Sequence, residues 1–255
     1  MDALAIARSM GGIGLMSGRV VKSCFTEKFQ VREFVEQSWF IVSVTLMPTI
    51  LVSIPFGAVI SLQVGSLTGQ LGAQSFAGAT AVLAMVREAA PIAAALIIAG
   101  AAGSAICADL GARKIREEID AMEVLGIDPV VRLVTPRVQA CFFVSVMING
   151  IVIAAGILGG YFFTVIIQGG SAGAFLSSFT ALATLPDLYV AMVKAGIFGF
   201  CAAIIGAYNG LGAGGGPSGV GRAVNESVIV AFMVLFVLNA LISAIYFQVV
   251  PQDGL

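Results

Sequence analysis

Five stretches of the chain carry no charged residue at all: 39–86, 89–108, 138–186, 195–221 and 227–251. Each reaches the roughly 20 residues that a helix needs to cross the hydrocarbon core of a bilayer. A backbone in hydrocarbon has no water to bond, so such stretches are restricted to helices or to a closed barrel. Their apolar residues run on without the alternation of barrel strands. The chain therefore reads as an all-α polytopic membrane protein. Composition agrees: 11% of its 255 residues are charged, less than half the roughly 25% of a soluble domain, and mean hydropathy is +1.03.

Several chemistries are excluded or disfavoured. There is no histidine, which removes Ser-His-Asp and Cys-His catalysis, HExxH zinc chemistry and His proton relays. Cys24, Cys107, Cys141 and Cys201 are scattered without CxxC spacing and read as buried free thiols. The loop GAGGGPSGVG (212–221) has glycines but no lysine at the phosphate position, so it is not a P-loop. Residues 1–26 lack the layout of a secretory signal. The net charge of −1 points to no nucleic-acid partner.

The charges that exist are placed asymmetrically. Eleven of the 13 Lys and Arg fall in segments 1–38, 108–137 and 212–226, and none in 67–76, 169–187 or 250–255. By the positive-inside rule the N-terminus and segment 108–137 lie in the cytoplasm and the C-terminus outside. That requires an odd number of spans. Five are expected, over about 40–65, 77–107, 138–167, 188–210 and 227–249, within a domain covering 39–255. Pro48 and Pro55 imply kinks in the first, and Pro91 a break in the second. LTGQLGAQ (67–74) reads as a short polar turn and 169–187 as a loop. Ahead of the spans, segment 1–38 includes an interfacial helix over 27–40. There Phe29, Val31, Phe34, Val35 and Trp39 share one side, and Lys28, Arg32, Glu33 and Glu36 occupy much of the rest. Small residues at helix-packing spacing, Gly100/Ser104, Gly103/Cys107, Gly156/Gly160 and Gly206/Gly210, predict close helix contacts within or between subunits.

Segment 108–129, ADLGARKIREEIDAMEVLGIDP, holds nine of the 27 charges. Ile115, Ile119 and Met122 recur at i, i+4 and i+7 among charged positions, so a short amphipathic helix is expected over about 109–126, closed by Gly126 and Asp128-Pro129. Arg113–Glu117, Lys114–Glu118 and Arg116–Asp120 are i,i+4 pairs, although basic-before-acidic is the weaker order. Periodicity alone does not decide whether the apolar stripe packs on the protein itself, on the membrane surface, or on a cytoplasmic partner.

Run 86–140 resembles the signature region of the MlaE/YrbE permeases. These are the membrane subunits of ABC transporters that work with MCE lipid-binding proteins. The matching residues are Glu88, Pro91, Gly100, Gly103-Ser104-Ala105, Asp109-Leu110-Gly111, Glu118, Met122, Leu125, Asp128-Pro129 and Thr135-Pro136-Arg137. GILGGYF (156–162) and GGGPSGVGRAV (214–224) also fit, so the resemblance spans about 30 to 245. It implies an MlaE-like fold with an interfacial helix, five transmembrane helices and a cytoplasmic coupling helix that seats in a MlaF-like ATPase. ATP and Mg belong to that partner, and no cofactor is expected in this chain. Arg113, Ile115, Arg116, Glu117, Glu118, Ile119, Met122 and Glu123 are then the candidate coupling residues. The other implied partners are a second YrbE-like chain and MCE tunnel proteins on the outer side.

Arg87, Glu88 and Lys194 are charges inside apolar runs. Each costs about 2.5–3.5 kcal/mol at mid-bilayer on insertion scales and requires a partner, a cavity or an interface. Pairing of Glu88 with Lys194 or Arg87 is one reading. The resemblance implies another, in which Glu88 and Arg87 form the polar end of a lipid cavity where two permease chains meet. Leu83, Ile92 and Leu96 would then take the acyl or sterol surface. The chain departs from many relatives in having Ala101-Ala102 for an Arg-Ala and Asn239 for a frequent Asp. That makes its interior less polar and favours a heterodimer over a homodimer. Two rival classes remain open from sequence: an ion-coupled carrier using Arg87, Glu88 and Lys194, and a non-transporting scaffold of the MCE assembly.

Overall fold

The structure is a computed structural model describing residues 3–27, 29–72, 77–167, 169, 171–173, 175–177 and 185–249. Among these it contains helices and no strands. They are α1 (Ala3–Thr26), α2 (Val31–Gln70), α3 (Gly78–Ile115), α4 (Glu118–Val124), α5 (Val130–Ile167), α6 (Leu185–Leu211) and α7 (Pro217–Val249). Among the described residues, α2, α3, α5, α6 and α7 are long and apolar enough to cross a membrane, matching the expected five.

The helices are longer than the spans expected from the sequence. α2 continues through Pro48 and Pro55 and reaches ~60 Å at 1.5 Å per residue. Within its two-proline stretch the hydroxyls of Thr49 and Ser53 donate to the carbonyls of Thr45 (2.7 Å) and Thr49 (2.5 Å), a back-bonding that lets buried hydroxyls live inside a helix. No separate interfacial helix occupies 27–40: residues 31–40 are the first turns of α2. Phe34 is half-buried against Phe29 and Phe143, whereas Val31, Val35 and Trp39 are exposed. The predicted turn at 67–74 is helical to Gln70, with the bend at Leu71–Gly72 and the rest outside the described residues. α5 begins at Val130, eight residues before the uncharged run. There the carboxylate of Asp128 accepts the Val130 N–H at 2.8 Å, and Pro129 takes the first-turn position where a missing N–H costs nothing. Of the loop expected over 169–187, residues 170, 174 and 178–184 lie outside the described residues, as does 250–255.

The described chain divides into two compact units. One comprises 1–44, 98–144 and 197–255. In it Gly206 of α6 lies against Gly103 of α3 so closely that a Cβ would sit 2.4 Å from the Gly103 carbonyl, and Gly210 against Cys107 likewise at 2.7 Å. Two of the small-residue pairs found in the sequence, Gly103/Cys107 and Gly206/Gly210, thus meet each other. α7 buries a strict i+4 line, Gly219, Ala223, Ser227, Ala231, Leu235 and Asn239, and its first turns pack with Ala213 onto Cys107 of α3. The sequence left α1 unassigned, and its glycines lower helix propensity. One of them, Gly12, faces the Tyr208 ring, where a Cβ would clash at 2.5 Å, and Val20 and Ser23 are buried on the same side.

The second unit comprises 45–97 and 145–196. Gly57 of α2 and Gly156 of α5 are in backbone contact, a Cβ on Gly57 falling 1.9 Å from the Gly156 carbonyl. Gly159 meets Ile54 and Gly160 meets Ser61 in the same way. α5 and α6 are joined by a polar ladder: Ser145 donates to the Ala195 carbonyl (2.7 Å) and Asn149 to that of Ala191 (3.3 Å).

Candidate substrate and coupling sites

Proline sets up the second unit's polar centre. Pro91 in α3 has no N–H, so the carbonyl one turn earlier loses its helical donor. The expected break does not occur. The helix instead loosens into a π-turn over Met85–Ala89, with the Ala90 N–H reaching back to the Met85 carbonyl. The freed Arg87 carbonyl accepts from Lys194 Nζ of α6 at 3.0 Å. The same Nζ donates to Glu88 Oε1 at 3.0 Å. Next to it Arg87 Nε donates to Asp187 Oδ1 at 2.6 Å. Two cations and two anions from adjacent helices thus neutralise one another, which is the condition for charges to persist in a bilayer.

Burial within this quartet is uneven. Asp187 and Lys194 expose 0% and 2% of their side chains, Arg87 20% and Glu88 37%. Asp187 lies in the first turn of α6, where the helix dipole favours a carboxylate. The sequence reading assigned it to a loop and missed it. Glu88 is the quartet's most open member. The π-turn's wider spacing, i to i+5, also brings Leu83 into line with Glu88, which continues at i+4 through Ile92 and Leu96. All four are half-buried, while Met85, Val86, Ala90, Ala93 and Ala94 face inward. Of the five predicted cavity residues, Leu83, Glu88, Ile92 and Leu96 therefore share one half-open stripe with a carboxylate in it, and Arg87 lies outside that line, bonded to Asp187.

The charged segment differs from its sequence reading. A single helix over 109–126 is replaced by the end of α3 and the separate α4, divided at Arg116–Glu117. Glu117 adopts the left-handed region (φ 60°). None of the predicted i,i+4 pairs forms across this break. Arg113 instead bonds Asp109 (3.2 Å) and Glu118 (3.4 Å), Arg116 bonds Glu118 (2.7 Å), and Lys114 pairs with Asp120. α4 closes on Gly126 (φ 74°), with the Gly126 N–H on Glu123 O (3.0 Å) and the Ile127 N–H on Met122 O (2.9 Å). These two bonds make a Schellman end. The predicted stripe is also redistributed. Ile119 is buried at 3% exposure and Met122 half-buried, so they seat α4 on its own protein. The open apolar residues are Val124, Leu125, Ile127 and Ile115, together with the charged Glu117 and Glu123.

Five apolar membrane helices, a neutralised polar centre and an exposed charged connection define a polytopic membrane protein with a polar interior. The model of the permease MlaE family matches residues 34–245, and the chain belongs to that family. It is 31% identical over 249 residues to a probable ABC transporter permease protein of Rickettsia felis, covering 96% of this chain and 95% of the relative. It is 32% identical to one of Rickettsia conorii over 95% of this chain and 94% of the relative. A probable ABC transporter permease protein of Synechocystis is 33% identical over 75% of this chain and 73% of the relative. The protein is accordingly a multi-pass permease subunit of an ABC transporter, a class that works with a separate ATPase.

Proposed function

We propose that this permease moves a lipid as part of an MCE-associated assembly, with Glu88 and Arg87 at the polar end of the substrate path. The observation that carries this reading is the stripe Leu83–Glu88–Ile92–Leu96. It offers apolar surface beside a carboxylate held by Lys194 yet still 37% exposed. A fatty acid, mycolic acid, sterol or phospholipid combines one polar end with a long apolar body and suits such a face. The stripe is open, so a second YrbE-like chain, a different one in preference to an identical copy, would complete the cavity. MCE tunnel proteins would receive or deliver the lipid on the outer side.

The N-terminus and α4 lie in the cytoplasm in this reading, and α1 takes the interfacial role first given to residues 27–40. Its outward face mixes Leu15, Val21 and Phe25 with Arg19 and Lys22, the pairing of apolar and basic groups that binds a headgroup layer. The MlaF-like ATPase, holding ATP and Mg, engages the segment around α4. Glu88→Ala should lower lipid transport about tenfold, a loss of substrate stabilisation of roughly 1.4 kcal/mol, with assembly intact. Lipid carried by the purified complex and counted by mass spectrometry gives the cargo. Normal transport by a normally assembled Glu88→Ala complex overturns the reading.

A further inference from the structure

Across the break between α3 and α4 runs a chain of charge contacts that starts from a buried arginine. Arg137, in the first turn-and-a-half of α5's regular helix, is 2% exposed. It is held at one nitrogen by the Leu133 carbonyl (2.7 Å) and at the other by Asp109 Oδ2 of α3 (2.6 Å). Asp109 also receives Arg113 Nε (3.2 Å). Arg113 NH1 reaches over the break to Glu118 Oε2 (3.4 Å), and Glu118 Oε1 accepts Arg116 Nε (2.7 Å).

The Arg137–Asp109 and Arg116–Glu118 links have the short lengths of charge-assisted hydrogen bonds, stronger and more directional than neutral ones, and the Arg113–Glu118 link over the break is a longer ion pair at 3.4 Å. The break itself, Arg116 and the left-handed Glu117, restrains the helices only through local backbone bonds; beside the chain, the Lys114–Asp120 pair is the other ion pair across it among the described residues. Ile119 fixes where α4 sits, since an apolar plug is held by contact area; it does not fix the direction of the helix around that plug. Direction needs bonds that point.

We infer that Asp109 and Arg137 are positioning residues that set the orientation of α4 through Arg113 and Glu118. The inference rests on the reading of α4 as the element engaged by the ATPase. Arg137 is the fixed post, Asp109 the junction, and Glu118 the point of attachment on α4. A turn of α4 imposed from outside is thereby transmitted to α3 and α5 as a pull on Asp109, not absorbed at the hinge.

The test places a nitroxide at Ala121→Cys, an exposed position on α4, in the full chain with Cys24, which is exposed and not buried as expected from the sequence, replaced by Ser. Its mobility is read in lipid nanodiscs. The parent should show an immobilised component. Asp109→Asn, which keeps an acceptor for Arg137 but drops the charge, should lose it, and so should Glu118→Gln at the far end. The double variant should be no more mobile than the worse single one, because both cut the same chain. Arg132→Gln, whose guanidinium bonds Gln30 outside the chain, should match the parent. In the assembled transporter the two variants should hydrolyse ATP yet move about tenfold less lipid per ATP, within the usual range of coupling between sites.

Spectra of folded Asp109→Asn and Glu118→Gln superimposable on the parent overturn the inference. Glu118 is partly exposed, so its variant folds and keeps the test decisive even where Asp109→Asn does not accumulate. Increased mobility with unchanged transport per ATP supports the positioning chain and instead overturns the assignment of α4 as the ATPase contact.

Discussion

Lys194 carries three obligations at once: its own charge, the carboxylate of Glu88, and the carbonyl that Pro91 strands at Arg87. Its loss takes a counter-ion from Glu88, but that carboxylate is 37% exposed and can recover some hydration. Arg87 has the opposite arrangement, because its partner Asp187 is fully buried. Removing one partner of a buried pair costs about 3–5 kcal/mol when the charge left behind is buried, as Asp187 is. Arg87→Met should fall in that range, and Lys194→Met at about 2 kcal/mol, below it, because solvent reaches Glu88. Thermal unfolding of the two variants in the same detergent tests the order. Lys194→Met as damaging as Arg87→Met means that the stranded carbonyl matters as much as the carboxylate. The need for partners at Arg87, Glu88 and Lys194 was legible in the sequence, since apolar runs announce any charge within them. Asp187 was not, because it follows Leu185-Pro186 at a helix start that looks like the end of a loop.

At the scale of elements, helix type and span count were legible, and helix ends were not. A charge was read as leaving the membrane, whereas α3 and α5 carry Asp109, Arg113, Lys114, Arg132 and Arg137 as continuations of their helices. Pro91 was read as a break because a missing donor is local, while the remedy, a lysine on another helix, is tertiary. The order of charges in RKIREEID held an unread signal. Basic before acidic is poor for i,i+4 pairs inside one helix. It is favourable for two helices meeting end to end, since cations suit a C-terminus and anions an N-terminus. Arg113 and Lys114 do close α3, and Glu118 and Asp120 do open α4. Between them Glu117 holds φ 60°, a conformation costing about 1–2 kcal/mol for a residue with a Cβ. Glu117→Gly removes that cost but enlarges the unfolded ensemble. The net effect should be a stabilisation of about 0.5–1 kcal/mol, read as a higher midpoint in thermal unfolding. A fall in stability means that the Glu117 side chain contributes something beyond the turn.

For the whole molecule, the exposed apolar residues fall into two settings, the uncharged runs and the charged connection. α2 and α7 bury only 28% and 17% of their most apolar windows, against 61% for α3, and their outward residues, such as Met47, Leu51, Phe236 and Leu241, lie in uncharged runs that suit hydrocarbon. Val124 and Leu125 are more open still, at 88% and 75%, but they stand among Glu117, Asp120, Glu123 and Asp128. Acidic residues so close together keep that patch out of hydrocarbon, and large apolar side chains in water mark a protein contact. A groove with apolar walls and a basic rim is the complementary surface. The family resemblance implies that Ile115, Ile119 and Met122 dock; the structure turns Ile119 inward, which splits the outcomes. Val124→Asp with Leu125→Asp should leave thermal stability within about 0.5 kcal/mol of the parent, as surface changes do. It should also lose the ATPase on purification through the permease. Ile119→Asp buries a charge and should unfold the α4 region, losing stability and ATPase together. Retention of the ATPase by the Val124/Leu125 variant at native yield would place the coupling contact elsewhere on the charged connection, with Ile115 and Ile127 as the remaining exposed apolar residues to substitute.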